Sequence, residues 1–191
     1  AGVPAILTRL SFTGEIGFEI YTAPQFQLKL FEEIENEGKD LNLKLYGARA
    51  LMSLRLEKNW GAWGLDYRPD FTAIESGLDQ FINWNKDFIG KEASLDQKDK
   101  GLEKKLTAMV VETKDIDVIH DEAILYNKKC VGYVTSGGYA HYVNKSIAFG
   151  YLPIELIKKD TKLDIEINGN FYQAKIIEEP LYDPRGEKIR S

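Results

Sequence analysis

From residue 106 onward the sequence divides into six short runs rich in Val, Ile and Tyr. They are Leu106 to Glu112, Ala123 to Tyr126, Cys130 to Ser136, Ser146 to Leu152, Lys162 to Ile167 and Phe171 to Ile177. Turn residues separate them: Asn127-Lys128, Gly137-Gly138 and Asn168-Gly169-Asn170. Short β-branched runs at nearly regular spacing predict antiparallel strands in a barrel or a sandwich. The Asn168-Gly169 pair gives the sharpest local signal, because both residues accept the positive φ of a two-residue hairpin turn.

The first hundred residues read differently. Gly17 to Thr22 alternates apolar and polar residues, as a half-buried strand does. Pro24 then suits the first turn of a helix. Phe26, Leu30, Phe31 and Ile34 recur at helical spacing with Glu32, Glu33, Glu35 and Glu37 outside them, and Gly38 is the expected stop. A second helix is predicted from Gly47 to Lys58. Its Ala48, Leu51, Met52, Leu54 and Leu56 make it too apolar for a surface helix, so it is expected to lie largely buried. Arg49 inside that helix calls for a carboxylate partner, with Glu57 and Asp66 as candidates. Asn59 to Glu75 is a long aromatic connection carrying Trp60, Trp63, Tyr67 and Phe71. Phe81 to Trp84 reads as a strand, and residues 87–105 as a polar helical stretch. The boundary between an α+β first half and an all-β second half falls near residues 96–103.

Composition narrows the function classes. The chain has 191 residues, is 43% hydrophobic and carries a net charge of −5. Its basic pairs, Lys104-Lys105, Lys128-Lys129 and Lys158-Lys159, sit among acidic or apolar residues and build no nucleic-acid footprint. The longest apolar runs, such as Ile147 to Ile154, are too short to cross a bilayer, and the first residues lack a signal-peptide layout. A single cysteine, Cys130, forms no internal bridge and reads as a small hydrophobe in a strand. His120 and His141 lack metal-ligand spacing, so no metal site is expected. Neither a phosphate loop, a dinucleotide fingerprint nor a nucleophile elbow is present. The chain does not begin with methionine, which suggests processing or a piece of something longer.

Three features remain: the segment Phe12 to Glu19, Arg49, and the aromatic connection. At these residues the sequence resembles a known family. FTGEIGFEI (12–20) is similar to the Tyr-Thr-Gly-Glu-x-Gly-Phe-Glu-Ile signature of the glycine cleavage T-protein (aminomethyltransferase) family. YGARALMSLRLEK (46–58) resembles its Gly-Ala-Arg-Asp-x-x-Arg-x-Glu helix. IESGLDQFINWNKDFIGKEA (74–93), GYVTSGGYAHYVNKSIAFGYLP (132–153) and LYDPRGEKIR (181–190) resemble its later blocks, in the same order. Within the family, residues 52–78 look most like the folate-binding C-terminal region of dimethylglycine and sarcosine dehydrogenases.

The resemblance implies the following. Residues 1–100 form the latter part of an α+β, ferredoxin-like folate-binding domain, and residues 101–191 the family's antiparallel β-barrel domain. The cofactor is tetrahydrofolate, and FAD belongs only to an upstream domain outside this chain. The partners are folate, a small N-methyl amine or aminomethyl donor, and an N-terminal part of the same protein. Glu19 matches the signature Glu that holds the pterin's aminopyrimidine edge, where two adjacent N–H donors meet two carboxylate oxygens. Phe12 replaces the signature's opening Tyr, keeping the ring and losing the hydroxyl. Arg49 matches an Arg near the ligand, suited to a folate carboxylate or a neighbouring acid. Gln80 stands where the T-protein has a Trp wall, and Ala50 where it has an Asp. The family's catalytic aspartate lies in a half-domain this chain does not contain, so no catalytic residue is assigned and the segment alone is expected to be inactive. The expected location is cytoplasmic, or the mitochondrial matrix in a eukaryote. An aminomethyltransferase-like or demethylase activity is the alternative. A non-catalytic accessory module of the same fold is a further one, although its Lys-Gly-Cys-x-x-Gly-Gln-Glu motif is absent.

Overall fold

The computed structural model describes residues 2–190. An antiparallel hairpin opens the chain, with β1 (Ala5–Arg9) paired to β2 (Phe18–Thr22) so that Thr8 faces Glu19 and Leu7 faces Ile20. A 3-10 turn at Pro24–Phe26 leads into α1 (Gln27–Gly38), and α2 spans Ala48–Glu57. The aromatic connection follows, then α3 (Lys91–Lys100). The predicted helical spacing of α1 is present. Its apolar face is not covered, however: Leu28, Phe31 and Ile34 remain exposed and line an open groove with Ile20 of β2.

All six predicted runs of the second half are strands. They are β3 (Lys104–Val111), β4 (Ala123–Tyr126), β5 (Lys129–Ala140), β6 (Lys145–Pro153), β7 (Leu163–Ile167) and β8 (Asn170–Ile177). They close into an antiparallel barrel in the order β3-β6-β5-β4-β7-β8. The β7–β8 turn is the expected one, with Ile167 opposite Asn170, Asn168 at φ 49° and Gly169 at φ 77°. Asn127 and Lys128 take positive φ in the same way between β4 and β5. The exposed Cys130 lies in β5.

Period-two alternation explains the core. Leu163, Ile165 and Ile167 of β7 point inward to join Met109, Ile124, Val134, Ala148 and Leu152. β6 is buried on both faces. Its Ala148 and Leu152 face the barrel interior, while Ile147 and Phe149 pack outward with Leu56 of α2 and Ala140. The outer face of the barrel at β5 and β6 is therefore the seat of α2.

Three expectations are corrected. Gly137-Gly138 is not a turn: β5 continues through both residues, which pair with Ala148 and Ile147 of β6. Phe81 to Trp84 is not a strand. The amides of Phe81 and Ile82 donate to the carbonyls of Leu78 and Asp79, at 3.0 and 3.1 Å, which closes a 3-10 turn and leaves no ladder. Nor is α2 largely buried. Its first turn, Ala48 to Ala50, is exposed, and burial is confined to Ser53 and Arg55 to Glu57.

Gly150 shows how tightly the barrel is closed. A Cβ there would lie 2.7 Å from the Tyr133 carbonyl and would strike the Ile124 side chain. Gly150→Ala should therefore cost about 1–3 kcal/mol through overpacking, read as a lower urea midpoint at unchanged slope.

Candidate functional site

The hairpin presents the signature acid. Alternation along β2 places Glu19 and Tyr21 on one face, with Phe18 and Ile20 on the other. Glu19 is exposed and accepts a hydrogen bond from the Tyr21 hydroxyl at its Oε2. That bond, with the field of the carboxylate, raises the Tyr21 pKa above its ordinary value. An ionised Glu19 thus has oxygen lone pairs left for further N–H donors. Phe12 sits half-buried in the loop between the strands.

Arg49 and Gln80 are placed elsewhere. The Arg49 side chain is 98% exposed and approaches Asp117 only to 3.9 Å. It lines a cavity of about 440 Å³ between α2, the Asp117–His120 loop and β5, together with Met52, His120 and His141. Gln80 is exposed and lines a different cavity, of about 560 Å³, with Trp60, Tyr67 and Lys105. Phe12 and Glu19 line neither. The described residues do not bring the four together in one enclosed site.

The buried arginine of α2 is Arg55, not Arg49. Arg55 is 1% exposed, and its Nη1 donates to Asp66 Oδ2 at 2.7 Å and to the Trp60 carbonyl at 3.1 Å. Asp66 is one of the two acids the sequence offers as partner, but the arginine it receives is Arg55 and not Arg49. Glu57, the other, accepts the Tyr142 amide at 2.8 Å instead. The signal was present: Asp66 is the sole acid between Trp60 and Tyr67. What was missing was phase, because the barrel packs against the last turns of α2 and leaves the first one in solvent.

Asp66 is fully buried and gathers four donors. Besides Arg55 it accepts the Ala62 amide at 2.7 Å, Thr135 Oγ1 at 2.5 Å and Ser136 Oγ at 2.7 Å. Consecutive strand residues normally face opposite sides of a sheet. A β-bulge between Val134 and Ser136 breaks the alternation and turns both hydroxyls onto the same oxygen. The Asp66 carbonyl accepts the Tyr151 hydroxyl at 2.9 Å. That hydroxyl also contacts Ser76 Oγ at 2.7 Å, and its ring stacks on Phe71 at 3.4 Å. Burial pulls the Arg55 guanidinium below its ordinary pKa, opposed by Asp66. Burial also pushes the Tyr151 hydroxyl up to about 12.

The match to known proteins covers both halves. Residues 1–86 match the family model "GCVT N-terminal domain", and residues 104–183 match "Glycine cleavage T-protein C-terminal barrel domain". The chain belongs to the glycine cleavage T-protein family. It is 39% identical to the mitochondrial dimethylglycine dehydrogenase of Homo sapiens over 183 residues, which is 95% of this chain and 21% of that protein. It is 35% identical to an aminomethyltransferase of Desulfitobacterium hafniense over 186 residues, 97% of this chain and 51% of that protein. The crystal structure of aminomethyltransferase T from Bartonella henselae superposes with a TM-score of 0.84 at 27% identity, covering 93% of this chain and 50% of that one. This T-protein family chain thus spans from about a fifth to about half of the relatives it matches.

Removing one partner of the buried pair leaves an uncompensated charge. Asp66→Ala should cost about 3–5 kcal/mol in urea unfolding, and pairing Arg55→Met with Asp66→Leu should recover part of that loss. A single-variant cost below about 1 kcal/mol would refute the assignment. Tyr151 adds a pH dependence. Its folded pKa lies above the ordinary 10.0, so its contribution is complete below about pH 10 and is lost as pH rises through about 12. Unfolding across that range should show a falling midpoint, less steep in Tyr151→Phe.

Proposed function

We propose that this chain is the folate-binding portion of a tetrahydrofolate-dependent one-carbon transfer enzyme of the dimethylglycine dehydrogenase type. The observation that carries the reading is Glu19: an outward carboxylate on a signature hairpin, committed only to the Tyr21 hydroxyl. In this proposal residues 1–100 belong to the folate-binding domain and 101–191 to the barrel domain. Tetrahydrofolate, when bound, supplies the nucleophilic nitrogen that takes up the one-carbon unit.

The residues present fit such a ligand. Glu19 orients the pterin by accepting two adjacent N–H groups, a charge-assisted contact stronger than a neutral one. Phe12 offers a ring edge beside it without a hydroxyl to donate. Arg49, with its side chain almost wholly in solvent, is free to take a carboxylate of the ligand in place of the distant Asp117. Gln80 lines the separate cavity with Trp60 and Tyr67 and takes no part in this arrangement. The one-carbon donor is a small N-methyl amine whose oxidation belongs to a flavin bound outside these residues. No helix among the described residues is long and apolar enough to cross a bilayer. The location that fits this chemistry is the cytoplasm or the mitochondrial matrix.

A second reading is an aminomethyltransferase proper, favoured by the Desulfitobacterium and Bartonella similarities. Turnover of the full-length protein with N,N-dimethylglycine against an aminomethyl-lipoyl donor separates the two.

Tetrahydrofolate should raise the melting temperature of the full-length protein, by a stabilisation of about 2.7 kcal/mol at a hundredfold excess over Kd. Glu19→Gln should weaken binding roughly 10- to 150-fold, the loss of about 1.5–3 kcal/mol of charge-assisted hydrogen bonding. Equal affinity in the variant and the parent, measured by calorimetry, would remove Glu19 from the site.

A further inference from the structure

Two motifs take no part in the proposed chemistry: Gly14-Glu15 of the signature loop and the closing Tyr182-Asp183-Pro184. The structure joins them. The Tyr182 hydroxyl donates to the Glu15 carboxylate, and the Tyr182 amide donates to the Glu57 carbonyl of α2 at 3.0 Å. Lys58, just past α2, is 3% exposed. Its Nζ donates to the Asp183 carbonyl at 2.6 Å and to Asp183 Oδ2 at 3.1 Å. The same ammonium lies 5.6 Å from the Trp60 ring centre and 5.8 Å from that of Tyr182.

Each piece has a local reason. Gly14 holds φ at +84°, and a Cβ there would collide with the Lys58 methylenes, so the loop lies directly on that side chain. Asp183 organises the tail by accepting the Glu187 and Lys188 amides at 2.9 and 3.2 Å. Arg9, at the end of β1, donates to the Ile189 carbonyl at 3.0 Å. The tail therefore touches the hairpin at Arg9 and Glu15, and α2 at Glu57 and Lys58.

The hairpin needs such a hold. β1 and β2 form a two-stranded sheet that pairs with no other strand among the described residues. Ile6, Leu7, Phe18, Ile20 and Tyr21 are exposed on its two faces. A two-stranded ribbon of this kind is marginal in water by itself. The tail and Lys58 contact it at its loop, through Glu15 and Gly14.

We propose that residues 182–190, with Lys58, form a positioning latch that fixes the signature hairpin and so the direction of Glu19. This rests on the reading of Glu19 as the pterin-binding residue. Lys58 and Tyr182 are positioning residues, acting through the hairpin and not on the ligand. The Tyr182 hydroxyl, pushed up to about 12 chiefly by its bond to Glu15, agrees with a well-engaged contact. Asp183 agrees too: desolvation works against its charge, yet the Glu187 amide, the Lys58 ammonium and the Lys188 amide hold its pKa below the ordinary value.

The test is hydrogen exchange of the full-length protein, compared with a form ending at Pro180 and with Lys58→Met. Exchange across residues 10–22 should accelerate roughly tenfold or more, the loss of one charge-assisted bond, while residues 104–177 keep their protection. In steady-state turnover the KM for tetrahydrofolate should rise by a similar factor at nearly unchanged kcat, and Lys58→Arg should recover part of both effects. Unchanged exchange in residues 10–22 overturns the latch. If truncation disturbs the barrel, Tyr182→Phe, which removes only the hydroxyl, decides by the same readout. Glu19→Gln separates the two readings. If it keeps folate affinity while truncation still loosens residues 10–22, the ligand assignment fails and the latch stands. If it loses affinity and truncation loosens residues 10–22, both stand; if it loses affinity and truncation leaves that exchange unchanged, the ligand assignment stands and the latch fails.

Discussion

The contact between Arg55 and Asp66 is the interaction on which the rest of this structure depends. Two opposite charges are removed from water at the junction of α2, the aromatic connection and the barrel wall. Desolvating them is costly, and it is offset only because every direction around the Asp66 carboxylate holds a donor. Arg55 comes from the helix, Ala62 from the connection, and Thr135 and Ser136 from β5. One carboxylate thus ties α2 and the connection that follows it to β5, 69 and 70 residues further along. Tyr151 extends the same junction through the Asp66 carbonyl and Ser76.

That junction decides what the two halves can present. By seating the last turns of α2 on β5 and β6, it leaves the first turn, with Arg49, in solvent beside the Asp117–His120 loop. By holding the end of α2, it also places Lys58 where the tail and the signature loop converge. The hairpin then carries Glu19 outward from a base it does not itself stabilise. Scaffold and proposed site are therefore distinct in kind. The barrel is packed on both sides of β6, while the hairpin and α1 show apolar faces to open grooves.

The barrel was legible because its rules are local. Period-two alternation and the Asn168-Gly169 turn operate within a few residues, and neither depends on what packs outside. The helical spacing of α1 was legible for the same reason. Legibility ended where a partner had to be chosen. Phe81 to Trp84 looks like a strand by residue type, yet the amides of Phe81 and Ile82 are taken by local carbonyls. Arg49 and Arg55 lie in the same apolar helix, and nothing in the spacing says which one the barrel will cover. Residue types alone also gave no account of the Thr135-Ser136 pair, since both hydroxyls reach one oxygen only through a bulge.

The sequence by itself determined the six barrel strands, the turns at Asn127-Lys128 and Asn168-Gly169, the signature segment and the order of blocks that marks the T-protein family. These follow from side-chain periodicity and backbone preference, which every residue carries with it. The tertiary structure decided which arginine is buried, which acid receives it, and how Tyr182 and Lys58 come to hold the loop beside Glu19. Those outcomes depend on long-range packing, because an ion pair or a hydroxyl contact has no meaning until distant segments fix its distance and exclude water from it.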